Sequence, residues 1–313
     1  MKRLIAMILF FSLALTACSG VKEETISDRA LTFTDDLGRT VTVDQPQRVA
    51  ALLGSFAQIW MLAGGEVIAT ADDAWDDLQL DLPEHAVNLG HTKSLSLELL
   101  LSAQPDLILA STNTRQNMEW KESLEATGIP IAYFDVGDFD GYLRVLKICT
   151  DITGRSDLYE TNGLAVAKTI EAVLTQSEQR LSKQPAPTVL CLVASASNIN
   201  AKNSRNNVLG EMLHSLGCVN IADSEDSLLE NLSLEYILQT DPDYIFIVQR
   251  GDDTAGMMQN IAHELESNPL WSQLTAIQKN KLYFMEKNLY NLKPNHRWGE
   301  AYQELEAILS NET

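Results

Sequence analysis

Hydrophobic and polar positions alternate in two short runs near the start of the chain, at 31–34 and 40–43. A period of two predicts half-buried strands, and the turn between the runs contains Gly38, so we expect a β-hairpin. Beyond it, apolar runs of strand length alternate with segments of helical periodicity. The pattern predicts strands at 48–53, 67–69, 87–89, 107–110 and 131–134, and helices at 55–63, from Ser96 onwards, and at 118–126.

The second half of the chain has the same alternation. We expect strands at 188–194, 219–221, 244–248 and 281–285, a polar loop at 195–207, and helices at 208–216, from Ser233 onwards, at 257–265 and at 298–309. Between the halves, apolar residues recur at helical spacing from Asp157 to Lys183, with Gly163 as the one weak point. A continuous helix there would be about 40 Å long, which suits a strut between lobes. Strands alternating with helices predict parallel sheets in an α/β fold.

Two stretches repeat each other at an offset of 137 residues. Positions 96–108 match positions 233–245, with Ser, Leu, Glu, Leu, Pro, Asp and Ile identical. Each copy is typical of a short helix, a Pro-Asp break and an apolar strand. Two distant copies without a finer period indicate two similar lobes rather than a solenoid. We therefore expect a first lobe at 31–150, a linking helix at 151–186 and a second lobe at 187–313.

The N-terminus has the features of a lipoprotein signal peptide at 1–17. Lys2 and Arg3 precede an apolar core, and small residues then lead to Cys18 in a pattern similar to a bacterial lipobox. Cleavage would leave Cys18 to carry lipid at the start of a polar tether, 18–30. The alternative is an ordinary secretory signal with an incidental cysteine. Either way, we expect the mature protein outside the cytoplasm, and lipidation would hold it at the outer face of the cell membrane.

The chain is acidic, with a formal net charge of −20 that becomes more negative once Lys2 and Arg3 are lost. This balance argues against nucleic-acid binding, which requires basic surfaces. Three cysteines remain beside Cys18, an odd number that does not describe a disulfide framework. Cys149 and Cys191 lie in apolar patterns typical of small buried residues, and a single bridge between any two of Cys149, Cys191 and Cys218 stays open.

Several motifs, taken in order, resemble the substrate-binding lipoproteins of ABC importers for iron-siderophore, haem and cobalamin. The opening hairpin and first strand fit, as do the paired Leu-Glu…Pro-Asp motifs. The other matching segments lie at 127–130, 152–155, 268–271, 274–277, 281–283, 293–298 and 301–302. The resemblance covers nearly all of the mature chain, and the last two segments are similar to a Gram-positive branch.

The resemblance implies two Rossmann-like α/β lobes joined by one long rigid helix, with the ligand in the cleft between them. It also implies a monomer that takes up an iron chelate, most often an Fe(III)-siderophore, and passes it to a permease dimer with a cytoplasmic ATPase. Haem and cobalamin are the alternatives. No enzymatic activity, resident cofactor or directly bound metal is implied.

Glu98 and Glu235 occupy equivalent positions in the two repeats, each after Ser-Leu at a predicted helix start. Helix capping by Ser96 and Ser233, with a first-turn carboxylate favoured by the helix dipole, explains either one. In the resembling family, the equivalent pair docks on arginines of the two permease subunits. Capping and docking are compatible.

Candidate ligand residues follow strands or lie in loops expected to face the cleft. Arginine forks suit carboxylate or catecholate oxygens, and aromatic faces suit flat ligands. The candidates are Ser55, Phe56, Trp75, Thr112, Asn113, Arg115, Lys202, Arg205, Arg250, Tyr290, His296 and Trp298. The histidines show no close-set spacing for a zinc or manganese site. His91 and His296 would matter as metal ligands only if the ligand were haem.

Two other classes of function are weaker. An exported hydrolase could use paired carboxylates, but the two glutamates stand at helix starts, and no nucleophile elbow or zinc-protease motif is present. A purely adhesive lipoprotein would show no stabilisation by a small ligand. The sequence leaves the identity of the ligand open.

Overall fold

The computed structural model describes residues 30–205, 207–224, 228–229 and 232–310. The signal peptide and Cys18 lie outside these residues. The strands of the first part are β1 (Leu31–Thr34), β2 (Thr40–Val43), β3 (Val49–Ala51), β4 (Val67–Thr70), β5 (Val87–Asn88), β6 (Leu107–Ser111) and β7 (Ile131–Phe134). β1 and β2 form the expected antiparallel hairpin. The other five form a parallel sheet in the order β5-β4-β3-β6-β7.

A second sheet follows in the later part of the chain. Its strands are β8 (Thr188–Ala194), β9 (Ile199–Lys202), β10 (Val219–Asn220), β11 (Tyr244–Gln249) and β12 (Leu282–Met285). Four of them are parallel in the order β10-β8-β11-β12, and β9 pairs antiparallel with β8. The two sheets define a first and a second lobe. The α/β class with parallel sheets, predicted from the alternation, is confirmed.

The helices cover the sheets and connect the two lobes. Those of the first lobe are Gly54–Leu62, Asp73–Asp76, Leu97–Ser102, Arg115–Glu119, Lys121–Glu125 and Phe139–Thr153. Those after the linking helix are Val208–Ser215, Leu234–Thr240, Thr254–Ile261, Thr275–Gln278, Lys287–Tyr290 and Trp298–Ser310, with a π-helical turn at Ala262–Glu266. No helix among the described residues is long and apolar enough to span a membrane.

The linking helix runs from Ser156 to Leu181 with one irregular turn. Ser156–Tyr159 and Ala165–Leu181 are α-helical, and Glu160–Leu164 between them is π-helical. The π turn contains Gly163, where a Cβ atom would lie 2.8 Å from Cδ1 of Leu143. The glycine therefore permits a close approach of the linking helix to the first lobe. The expected boundary at 150 falls inside the helix Phe139–Thr153. The limits of the domains stay a prediction.

The two repeats fold in the same way. The hydroxyl of Ser96 accepts a hydrogen bond from the backbone N–H of Leu99 at 3.2 Å. The hydroxyl of Ser233 accepts one from Tyr236 at 3.3 Å. Both serines thus cap their helices, as the sequence pattern predicts.

The repeated aspartates bind the first strand of each sheet. The Asp106 carboxylate accepts from the backbone N–H of Arg48 at 2.8 Å, and that of Asp243 accepts from Thr188 at 2.8 Å. The residues two positions before them, Gln104 and Asp241, have left-handed φ angles of 51° and 47°. The shared motif therefore encodes a common local structure: a capped helix, a left-handed turn and a carboxylate that orients the neighbouring strand.

Two expected elements differ in the structure. The predicted helix at 118–126 is two short helices that meet at Trp120. The predicted polar loop at 195–207 contains β9, whose Ala201 is buried in the core of the second lobe. Polar residues alternate with Ile199 and Ala201, and this short alternation is the signal that a loop assignment overlooks.

A shared core joins the two lobes. One buried apolar cluster includes Phe56 and Phe134 of the first lobe, Phe246 of the second and Leu305 of the last helix. Arg180 of the linking helix pairs with Glu306 at 3.0 Å, with 7% and 4% of the side chains exposed. The lobes are therefore connected by packing as well as by the linking helix.

The three described cysteines are free and buried. Burial raises the pKa of the Cys149 and Cys218 thiols to about 12 and raises that of Cys191 as well. Protonated, inaccessible thiols are inert, so these cysteines act as small core residues.

Candidate functional site

A cleft of about 1470 Å³ lies between the lobes. Thr112 and Asn113 follow β6, Asp135 follows β7, and Arg250 follows β11, so the carboxyl ends of both parallel sheets open onto it. The strand order reverses at β3/β6 in the first sheet and at β8/β11 in the second. Ligands of open α/β sheets bind at such reversals. The topology thus forms one cleft from two switch points.

A second cavity of about 730 Å³ adjoins the cleft on the side of the first lobe. Asn113 and the segment 291–293 line both cavities. Ser55, Asp73 and Arg115 line the second cavity only. The two spaces are therefore compartments of one inter-lobe site, divided by shared side chains.

Two cations of the second lobe are available to a ligand. Lys202 and Arg250 line the cleft, and neither side chain forms a salt bridge within the described part of the chain. β9 positions Lys202 opposite Cys191 of β8. The backbone N–H of Arg250 donates to the carbonyl of Ala194 at 2.7 Å. Rigid strands thus present two unpaired positive charges to the cleft.

Three of the four first-lobe carboxylates that line the cleft are already engaged, Asp140 being the fourth. Arg144 pairs with Asp36 at 2.8 Å. Asp135 accepts from the side-chain amide of Asn113 at 2.6 Å, and Asp138 caps the helix Phe139–Thr153 through the N–H of Gly141. These bonds reduce the capacity of the wall to repel an anion.

Lys293 stands between the two compartments. Its ammonium nitrogen is 5.6 Å from the centroid of the Phe56 ring. Burial lowers the pKa of Lys293, and the negative charges of Asp135 and Asp73 oppose that shift. Burial also raises the pKa of Asp73 to about 6, although the backbone N–H of Gly54 donates to its carboxylate at 2.9 Å. Lys293 and Asp73 therefore place an amine and a carboxyl group on the wall of the same compartment.

Seven of the twelve expected ligand residues line the inter-lobe site, and five lie elsewhere. The seven are Ser55, Thr112, Asn113, Arg115, Lys202, Arg250 and Tyr290. Phe56, Trp75, Arg205, His296 and Trp298 line neither compartment. Trp75 belongs to the short helix Asp73–Asp76 rather than a loop, and Arg205 is exposed.

The aromatic candidates are mostly core residues. Phe56 is fully buried, and Trp298 is 1% exposed against Phe139 and Tyr302. Tyr290 reaches the cleft wall, but its hydroxyl donates to the carbonyl of Ala301 at 3.1 Å. Phe56 and Trp298 are therefore core residues, and Tyr290 lines the cleft with its hydroxyl already bonded.

The histidines considered for haem do not meet at the site. His91 is exposed, and its Nδ1 accepts from the backbone N–H of Lys93 at 3.2 Å. His296 is also exposed at the surface. Neither lines either compartment, so the described residues bring no histidine pair to a porphyrin.

Sequence reasoning missed several lining residues. Asp135 directly follows the predicted strand 131–134, so its place at the sheet edge could have been inferred. Lys293 belongs to the segment 293–298, which the sequence presents only as a motif, and Asn291 lies two residues before it. Arg144 and Asp73 come from helices, and no local pattern indicates which face of a helix borders a cleft.

Glu98 and Glu235 are exposed on the two capped helices. Neither carboxylate forms a salt bridge with any residue that the structure describes. The two lobes therefore each present one free carboxylate at the same point of the repeated motif.

A cleft between two parallel-sheet lobes, with unpaired charges at the strand ends and a shared core behind it, defines a two-lobed ligand-binding protein. The sequence profile of the periplasmic binding protein family matches residues 49–289. The chain belongs to that family.

Named relatives come from bacteria. The chain is 25% identical over 264 residues to the Fe(3+)-citrate-binding protein YfmC of Bacillus subtilis, covering 82% of this chain and 78% of that protein. It is 23% identical to the putative ABC transporter substrate-binding lipoprotein YhfQ of B. subtilis, covering 93% and 92%. The structure of Staphylococcus aureus SirA complexed with staphyloferrin B is similar, with a TM-score of 0.71, 18% identity and coverage of 90% and 99%. This last likeness establishes the fold.

Proposed function

We propose that this protein captures an anionic ferric chelate, an Fe(III)-siderophore or ferric citrate, and delivers it to an ABC permease. The observation that carries the proposal is the pair of unpaired cations, Lys202 and Arg250, on one wall of the cleft. An iron chelate held by carboxylate or catecholate oxygens presents the acceptors that these cations bind. A relative named for ferric citrate binding supports the same ligand class.

The protein is proposed to bind and release the chelate unchanged, without a resident cofactor. Within the described residues, no group of three or more histidine, cysteine, aspartate or glutamate side chains could hold a bare metal ion. Recognition would therefore use the organic shell of the chelate. The iron is cargo and need not touch the protein.

The proposed location is the outer face of the cell membrane, with Cys18 lipidated and 18–30 as a tether. Support comes from the sequence pattern and from the lipoprotein name of one relative. Radiolabelled palmitate incorporation that is lost in Cys18→Ala tests the anchor. Incorporation that persists in the variant would contradict it.

Ligand binding is tested with the purified mature lipoprotein in detergent. Ferric citrate, a ferric catecholate siderophore, haemin and cyanocobalamin are titrated while the fluorescence of the five tryptophans is followed. Iron-free citrate is the matched control. Saturable binding of a ferric chelate is expected, and saturation by haemin or cyanocobalamin alone would overturn the proposal.

Docking is proposed to use Glu98 and Glu235. Their equivalent placement and exposure suit a partner with one cationic site on each of two subunits. The double variant Glu98→Lys/Glu235→Lys should retain ligand affinity and lose cellular uptake of radioactive iron. Reversal of two other exposed glutamates, Glu122→Lys/Glu171→Lys, is the control. Uptake that survives in the first variant removes the docking assignment.

A further inference from the structure

A segment of the chain crosses the floor of the inter-lobe site. After β12 it forms the helix Lys287–Tyr290, then a turn at Asn295–Arg297 that leads into the last helix. Between these two elements, 291–293 line both compartments. The position of this crossing segment, 286–297, therefore sets the shape of both compartments.

One end of the crossing segment is fastened by a lysine that contacts both lobes. The ammonium group of Lys287 lies 2.6 Å from Oδ1 of Asp77 and 2.7 Å from Oδ1 of Asp252. Asp77 follows a helix of the first lobe, and Asp252 follows β11 of the second. The side-chain amide of Asn288 also donates to the carbonyl of Asp77 at 2.8 Å. This arrangement bridges the two lobes beside the ligand site.

The bridge is partly shielded from water. Lys287 and Asp77 side chains are 18% and 20% exposed, whereas Asp252 is 84% exposed. Burial alone would lower the pKa of Lys287, but hydrogen bonds to Asp252 and Asp77 raise it, so the ammonium stays charged. The contact with Asp77 is consequently less screened by salt than an ordinary surface pair.

The other end is held by Asn295. Its side-chain amide donates to the carbonyl of Ser55 at 3.0 Å and to Oε1 of Gln58 at 2.7 Å, and the residue is fully buried. Both contacts are with the first lobe. Between the two ends, the side-chain amide of Asn291 donates to the carbonyl of Gln249, the last residue of β11, at 3.2 Å. Of these three attachments, only Lys287 contacts side chains of both lobes.

We propose that Lys287 is a positioning residue that fixes the separation of the lobes, so that the cleft is pre-formed before a ligand arrives. Without the bridge, the distance between Asp77 in the first lobe and the loop that carries Arg250 in the second lobe would vary more. The expected faster release of a chelate from a Lys287 variant rests on the proposed function. The expected change in the distance between the lobes does not depend on it.

The test measures the distance between the lobes in the ligand-free mature lipoprotein. Spin labels at Glu122→Cys and Gln259→Cys occupy exposed sites on helices of the first and second lobes. Double electron–electron resonance should give a narrow distance distribution for the parent protein. Lys287→Met should broaden it, and Lys287→Arg should restore the narrow distribution because the charge and both partners are kept.

Lys147→Met is the matched control, since Lys147 pairs with Asp151 within one helix of the first lobe. It should leave the distribution unchanged. If Lys287→Met fails to fold, Asp252→Asn removes only the exposed partner and should still broaden the distribution. A parent-like distribution in every folded variant of Lys287 and Asp252 would overturn the proposal.

Ferric citrate provides a separate readout. Its dissociation from Lys287→Met should be about fivefold faster than from the parent, the factor that a modest ion pair supplies. If ferric citrate fails to bind the parent, that result counts against the proposed ligand class. The distance measurement then still decides the role of Lys287.

Discussion

Replacement of Arg250 by glutamine tests most directly the role of the cationic wall, formed by Lys202 and Arg250, in ligand binding. Glutamine keeps a polar side chain and removes the charge, and the backbone bond from Arg250 to Ala194 is unaffected. Lys202 remains as the second cation on β9, which is separated from β11 by β8. The substitution therefore changes one ligand contact without disturbing the sheet.

The magnitude follows from the exposure of the site. A hydrogen bond to a charged group contributes about 1.5–3 kcal/mol, which corresponds to about 10- to 150-fold in the dissociation constant. Arg250 is exposed in the open cleft, so we expect the lower end, about tenfold. The difference from the parent should shrink as salt is raised, because the Debye length falls from about 10 Å at 0.1 M to about 3 Å at 1 M.

Isothermal titration calorimetry with ferric citrate measures the effect. Arg205→Gln is the matched control, because Arg205 is an exposed arginine of the same lobe that lines neither compartment. Its affinity should stay within about twofold of the parent. Equal losses in the two variants, or parent-like binding by Arg250→Gln, would refute the assignment of the cationic wall.

Three further predictions concern stability and are read from equilibrium urea unfolding. The pKa of Asp73 is raised to about 6, so the folded protein should gain stability as the pH falls from 7 towards 4. Asp73→Asn should remove this pH-dependent gain. At pH 7 the variant should be more stable than the parent by at most about 3 kcal/mol. Asn295→Ala should cost about 2–4 kcal/mol through lost bonds and a φ of 53°, and Asn295→Gly should cost about 1 kcal/mol less. Glu306→Gln should cost about 3–5 kcal/mol because it leaves Arg180 unpaired, whereas Arg180→Met/Glu306→Leu should be nearly neutral.

Most of the fold could be predicted from the local periodicity of hydrophobic residues. The hairpin, the parallel strands and the long linking helix follow from periods of two and 3.6 residues, which involve only residues close together in the sequence. The repeat carried further information, because Ser96 and Ser233 cap helices at equivalent points. β9 was not predicted because its alternation around Ile199 and Ala201 is short. The π turn at Glu160–Leu164 was not predicted because it depends on the packing of Gly163 against Leu143.

The site was less predictable than the fold for a physical reason. Strand ends place Thr112, Asn113 and Arg250 at the cleft, and this part follows from topology. Phe56 also follows a strand, yet it is buried because it lies in the first turn of the helix Gly54–Leu62, on the face that packs on the core. Lys293 and Asp73 meet only through tertiary folding, so no spacing along the chain connects them.

The acidity of the chain does not conflict with an anionic ligand, because the field inside a cleft depends on nearby charges. At physiological salt, charges separated by more than about 8 Å are largely screened from one another. Asp36 on the first-lobe wall is neutralised by Arg144, while Lys202 and Arg250 on the opposite wall keep their charges unpaired. The net charge of −20 is spread over the chain and, screened in this way, contributes little to the field at the two cations. For the proposed chelate, selectivity is thus decided at contact, by the two cations of the second lobe and by the distance at which the first lobe faces them.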